Sequence, residues 1–269
     1  MTQNGDAKRR EGGRPLLGSH QKSWLWGRIA VLETLAAGKW PVIELHLADR
    51  LTPAERTAAM DLAARWRAPV RTEPAARLTQ LCHAEGHQGY LAKMSLFPYA
   101  DAADLLARRP AAPLYALLDG LHDPHNLGAI ARSAEVFALD ALFLGESSQA
   151  PVTTAAARAS AGAVNRIPIA LVADLAALTD ALKAAGVAIV GASEKADLSV
   201  TQYDFARPTA VVLGNEAVGI SEAVRARCDV LVRVPQYGRI GSLNAAAAAA
   251  IIFYEAMRQR RPERTPGQS

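Results

Sequence analysis

From Leu114 to Arg260, short apolar runs alternate with helix-forming stretches, and this rhythm constrains the 269-residue chain more than any other feature. Leu114–Leu118, Ala141–Leu144, Ile167–Val172, Val187–Val190, Ala210–Leu213 and Val230–Val234 read as strands. Helices are expected at His125–Leu139, Thr153–Ala161 and Leu175–Ala185, with a last one over Leu243–Arg260. Strands apolar on both sides need cover on both faces, so the pattern predicts a mostly parallel α/β sheet between helical layers. The front of the chain has a different rhythm. A helix is expected at Ile29–Ala37, a strand at Val42–Ala48, a helix at Pro53–Arg67, then a turn and strand over Gly86–Met94. The predicted division is a flexible basic arm over 1–22, a small domain over 23–98, an alanine-rich linker over 99–112, the main domain over 113–262 and a tail over 263–269.

Charge narrows the choice of partner. Residues 1–28 hold six Lys/Arg (Lys8, Arg9, Arg10, Arg14, Lys22, Arg28) against Asp6 and Glu11, which equals the +4 of the whole chain. The basicity is therefore concentrated in a front arm, with a second cluster at Arg258, Arg260, Arg261 and Arg264. Basic ends suit a polyanion; the plainer alternative is a solvated arm that only aids solubility. Cys82 and Cys228 make no metal-like or disulfide-framework spacing, which fits a reducing compartment. The opening MTQNGDAKRR has no apolar stretch behind it, and Ala245–Tyr254 is too short to span a bilayer. A cytoplasmic protein without membrane contact is expected.

Three strand-end loops carry unusual residues. The first runs from Asp119 to Arg132, with Asp123 as helix cap, Pro124 at the first helical position, and Asn126, Gly128 and Arg132 on the helix that follows. Asn126 and Arg132 lie about 240° apart around an ideal helix, so they converge only because Asn126 sits in the open first turn. The second loop, Leu213-Gly-Asn-Glu-Ala-Val-Gly219, joins a strand to a helix through glycines that allow positive φ and close backbone approach. The third, Val234 to Asn244, ends in Ser242, which alone would pass for a helix cap. Ligands of open α/β sheets sit outside the carboxyl ends of strands, so three such loops suggest one site. None contains a dinucleotide fingerprint or a P-loop.

In order and spacing these loops resemble the three signature motifs of the SpoU (TrmH-like) RNA ribose methyltransferases of the SPOUT class. Asp123-Pro-x-Asn126-x-Gly128-Ala-Ile-x-Arg132 matches the first, Leu213-Gly-Asn-Glu216-x-x-Gly219 the second, and Val234-Pro-x-x-Gly238 with Ser242-Leu-Asn244 the third. Gly27-Arg-x-Ala-Val-Leu-Glu33 and His87-Gln-Gly89 resemble that family's ribosome-protein-like substrate-binding domain. Two departures stand out: Gln236 where methionine is usual, and six alanines at 245–250 where Val-Ser-Val-Ala is usual. The resemblance implies a trefoil-knotted sheet, a homodimer formed through that domain, and S-adenosylmethionine held at the backbone of Gly214, Val234 and Leu243, with Gly191 near. The implied layout is closest to the large-subunit rRNA guanosine methyltransferases.

The activity implied is 2′-O-methylation of RNA ribose, with ribosomal RNA, and guanosine in it, favoured as substrate. Arg132 is the expected centre. An arginine stays protonated, so its role would be to fork an adjacent phosphate and fix the hydroxyl rather than to act as base. Asn126 would orient the ribose or Arg132, Glu216 would anchor the arginine or a loop amide, and Ser242 and Asn244 would close the site. The alternatives are a tRNA ribose methyltransferase, a catalytically silent RNA-binding relative, and a small-molecule α/β enzyme. Asp119, His122, Asp123 and His125 raise a metal reading, but the proline breaks their shared face and no metal is expected.

Overall fold

The computed structural model describes residues 23–147, 149–239 and 241–261. The expected arm over 1–22 and tail over 263–269, with Arg264, lie outside the described residues.

The apolar runs become a seven-stranded sheet in the order β7-β6-β5-β10-β8-β11-β9, with every pair parallel. Its strands are β5 (Leu114–Asp119), β6 (Ala141–Gly145), β7 (Ile169–Val172), β8 (Ala188–Ala192), β9 (Leu198–Ser199), β10 (Thr209–Gly214) and β11 (Val230–Arg233). Side chains of a strand alternate between faces, and both faces here are apolar. Leu114, Ala116 and Leu118 of β5 enter one core, beside helices α5 (Pro124–Val136), α6 (Thr154–Ala159) and α9 (Ala245–Arg260). Tyr115 and Leu117 enter the other, beside α4 (Ala102–Ala107), α7 (Leu175–Ala184) and α8 (Glu222–Arg225). Helix α5 lies tight on α6: a Cβ on Gly128 would come within 2.4 Å of the Ala156 carbonyl oxygen.

The front unit is a separate four-stranded sheet, β1-β4-β2-β3, built from β1 (Trp24–Trp26), β2 (Val42–Ala48), β3 (Val70–Glu73) and β4 (Tyr90–Met94). Helices α1 (Arg28–Ala37), α2 (Pro53–Ala63) and α3 (Ala75–Cys82) accompany it. The two units share one continuous apolar core, in which Leu35, Trp40 and Phe97 join Leu127, Ile130 and Val164. Across the seam the Asn165 amide donates to the Thr34 hydroxyl at 2.9 Å in a buried contact, and Arg166 pairs with Glu33.

Several elements differ from expectation. The Pro53 helix ends at Ala63 and tightens into a 3₁₀ turn over Ala64–Trp66, after which Arg67 takes a left-handed φ of 50°. The apolar pattern does not predict β1, β3, α3 or β9. The stretch read as linker holds α4, whose Leu105 and Leu106 pack on the sheet, and Ala100 bridges to Ala170. Two of the four arginines assigned to a polyanion have partners within the chain, Arg258 along its own helix and Arg260 across segments. Arg258 grips Glu255 with two bonds of 2.8 Å, and Arg260 donates to the carbonyls of Ala112, Pro113, Phe205 and Arg207. A guanidinium fork suits that task because it presents five donors in a plane.

Candidate active site

Three loops leave the carboxyl ends of β5, β10 and β11 and meet over the edge of the sheet. The first turns into α5, where the Asp123 side chain accepts from the His125 N–H at 2.8 Å and Pro124 opens the helix. This cap puts Asn126 in the open first turn. The second loop closes on itself through paired backbone bonds between Asn215 and Gly219, at 3.0 and 2.9 Å. Gly214 has to be glycine here, since a Cβ would sit 2.3 Å from the Gly219 backbone, and Gly219 itself has φ +75°. The Asn215 side chain accepts from Ala217 and Val218 and donates to the Gly120 carbonyl at 2.7 Å; the Asp119 carboxylate accepts from the Ser221 N–H at 2.7 Å. The first and second loops are thereby stitched together.

The third loop joins them through a chain of side-chain amides. Asn126 donates to the Glu216 carboxylate at 2.6 Å, and the Asn244 amide donates to the Asn126 carbonyl oxygen at 3.0 Å. The Asn244 oxygen accepts from the N–H groups of Ala246 and Ala247, at 2.9 and 3.3 Å. One hydrogen-bonded line therefore runs from the second loop through α5 to the start of α9. Asn244, not Ser242, caps α9, and the helix begins at Ala245 rather than Leu243.

Beside this line lies a narrow cleft of about 120 Å³, open to solvent. Gly214, Val234 and Leu243 line it, together with Glu216 and Ser242. Gln236, the departure from the usual motif, is at its wall. Gly191 is not among the lining residues. It is buried one position short of the cleft, where a Cβ would lie 2.5 Å from Leu231 Cδ2, so close packing explains the glycine. Among the described residues the Glu216 side chain is bonded by the Asn126 amide rather than by Arg132 or a loop N–H. Arg132 stands exposed further along α5, outside the cleft lining, and its side chain makes no hydrogen bond or ion pair among the described residues. Ser193 and Glu194, after β8, also line the cleft and carried no motif to mark them. Asn215 was within the second motif but went unassigned, although asparagine's habit of bonding its own backbone two residues on was a usable signal.

Cys228 packs against the second core, 3.0 Å from where a Gly191 Cβ would stand. Burial, with Asp229 beside it, pushes its thiol up to about 11, which makes it inert packing rather than a nucleophile. Among the described residues no group of His, Cys, Asp and Glu is arranged to hold a metal.

The family model described as SpoU rRNA Methylase matches residues 113–254, and that described as RNA 2′-O ribose methyltransferase substrate binding matches 24–100. The chain is 32% identical over 247 residues to YacO of Bacillus subtilis, named as a TrmH family tRNA/rRNA methyltransferase, covering 91% of this chain and 98% of that protein. Among solved structures, the SpoU methyltransferase AviRb of Streptomyces viridochromogenes with AdoMet bound superposes with a TM-score of 0.74 at 30% identity, covering 88% of this chain and 90% of that one. An AdoMet-bound rRNA methyltransferase of Sinorhizobium meliloti superposes with a TM-score of 0.75 at 25% identity, covering 87% and 86% of the two chains.

Proposed function

The chain belongs to the SpoU rRNA methylase family of RNA methyltransferases, and from that premise we propose that it transfers a methyl group from S-adenosylmethionine to a ribose 2′-hydroxyl of ribosomal RNA, with guanosine the favoured nucleotide. The observation that carries this reading is that the second and third motif loops line one cleft, and the first is tied to both by the Glu216–Asn126–Asn244 line.

The cleft suits the proposed cofactor. Leu213, Val232, Leu243 and Ile252 give it an apolar wall that fits an adenine, and Ser193 and Glu194 give it a polar rim that fits ribose hydroxyls and an ammonium group. Among the described residues no backbone–backbone hydrogen bond engages 235–239 or 241–243, which favours their use by a ligand. When bound, S-adenosylmethionine supplies an electrophilic methyl group. The chain's own residues position the acceptor. Arg132, with its fork uncommitted, holds a phosphate next to the target ribose and so fixes the 2′-hydroxyl, whose proton passes to phosphate oxygen or water. Asn126, immobilised from both sides, orients the ribose; Ser242 and Asn244 close the site.

We read residues 23–98 as the part that docks the RNA and 113–262 as the catalytic part. Insertion of β10 between β5 and β8 supports the trefoil crossing that the family resemblance implies. Val136, Ile251 and Tyr254 are exposed where α5 and α9 adjoin, with the Tyr254 ring 5.9 Å from that of Phe137, which supports a homodimer through this face.

The test is methylation of ribosomal and transfer RNA by the full chain with labelled S-adenosylmethionine, read by resistance of the modified linkage to alkali. Ribosomal RNA should gain one resistant linkage, and sedimentation should report twice the chain mass. Label confined to transfer RNA would replace the ribosomal reading with the tRNA one. Label that leaves every linkage alkali-sensitive would show a base methyltransferase instead. Cofactor binding without any transfer would point to a silent relative.

A further inference from the structure

Another cavity, of about 540 Å³, opens at the seam between the two units. The front sheet and the end of α3 contribute Trp26 and His83; the catalytic unit contributes His122, Pro124 and Arg158. Its contents set it apart from an ordinary crevice between packed units. The Arg158 guanidinium carbon lies 4.0 Å from the centre of the Trp26 ring. That is a cation laid on an indole, an arrangement that leaves the guanidinium fork free. Arg158 is half-buried, and burial works to lower its pKa; among the described residues its guanidinium has no hydrogen bond or ion pair. None of the described residues lining the cavity is an aspartate or glutamate. A desolvated arginine without a carboxylate is a standing electrostatic cost, one that an anionic ligand would relieve. His83 and His122 are exposed, and each ring offers both a donor and an acceptor when neutral.

The cavity's place in the fold matters as much as its chemistry. Pro124 is the first residue of α5 and Asn126 stands two residues on, so the cavity adjoins the candidate active site. A strand of RNA whose target ribose sits at Asn126 and Arg132 would pass the cavity mouth. Unpaired bases are bound by stacking on aromatic rings and arginine planes, with hydrogen bonds to their edges. We propose that this seam cavity takes one unpaired nucleotide neighbouring the methylation target, its base stacked against the Arg158–Trp26 pair and its edge read by His83 and His122. The proposal rests on the RNA methyltransferase reading above.

The test uses the full chain and two probes: an oligoadenylate of about ten nucleotides, on the scale of single-strand binding sites, and an abasic ribose-phosphate strand of equal length. Binding is followed by tryptophan fluorescence. The oligoadenylate should bind at least about tenfold more tightly than the abasic strand, the size of a lost base stack. Arg158→Ala should remove most of that difference, and Arg158→Lys should restore only part of it, since an ammonium has no plane to stack on. His83→Ala, on an exposed turn, should narrow the gap with the fold untouched and so serves should Arg158→Ala unfold the seam. S-adenosylmethionine affinity should stay the same in all three. Equal affinity of the two strands for the parent protein would overturn the proposal, as would an undiminished preference in both Arg158→Lys and His83→Ala. In either case the methyltransferase reading stands. A parent protein that binds neither strand would take the RNA reading down as well.

Discussion

Asn126 has both ends of its side-chain amide engaged, by Glu216 and by Asn244, while Arg132 on the same helix keeps its fork free. The contrast separates two jobs: a group that must not move, and a group that waits for an anion. Arg132→Ala should therefore cost about 2–4 kcal/mol in the methyl-transfer barrier, the range for one lost electrostatic contact in a transition state. That corresponds to roughly 30- to 1000-fold in single-turnover rate, with S-adenosylmethionine affinity unchanged because Arg132 is outside the cleft. Arg132→Lys should fall between, lacking the planar fork. An alanine variant as fast as the parent would remove Arg132 from the mechanism. These residues were legible in the sequence because each sits in a motif with fixed spacing. Their partnerships were not. Asn126 and Glu216 are 90 positions apart and meet only because β10 lies beside β5, an adjacency that spacing along the chain does not encode. The same gap explains why Ser242 passed for a cap. Both Ser242 and Asn244 are good cap residues, and only the position of Asn126 decides for the second.

At the scale of elements, the strands that could be read were those buried on both faces. β5 (LYALLD), β6 and β10 are almost unbroken apolar runs, and only a central parallel strand asks for that. β3 (VRTE) is an edge strand with its middle exposed, and β9 has two residues, so neither leaves a hydrophobic pattern to find. α4 was hidden by its setting, since a short alanine-rich helix bounded by prolines has the composition of a linker. Gly128 shows a packing demand that a motif can conceal. The glycine lets α5 settle against α6, and a side chain there would meet the Ala156 carbonyl and the Ala159 Cβ, at 2.4 and 2.6 Å. Gly128→Val should force the helices apart at a cost of about 1–3 kcal/mol, typical of overpacking. The loss of glycine's flexibility offsets less than about 1 kcal/mol of that. Calorimetry should show a midpoint lowered by several degrees. An unchanged midpoint would mean the α5–α6 contact can open freely, and would make the glycine a matter of ligand access instead.

For the whole molecule, the two units could be told apart in the sequence by their different rhythms, but their union could not. Composition suggested a tether between them. The structure has instead one apolar core running through both, closed by Thr34 with Asn165 and by Glu33 with Arg166. No local pattern announces such a seam, because each residue in it reads as ordinary core or ordinary surface of its own unit.

That shared core makes the protein a gauge. If the front unit docks the RNA as proposed, a core shared with the catalytic unit would hold the span from the gripped feature to the cleft at one length. Substrates would then be sorted by dimension, much as a caliper sorts parts. The consequence can be measured on any RNA the enzyme modifies. Two unpaired nucleotides inserted between the gripped feature and the target should abolish methylation there, or shift it by two positions, while binding barely changes. Methylation that stays at the original nucleotide at full rate would show that the jaws slide.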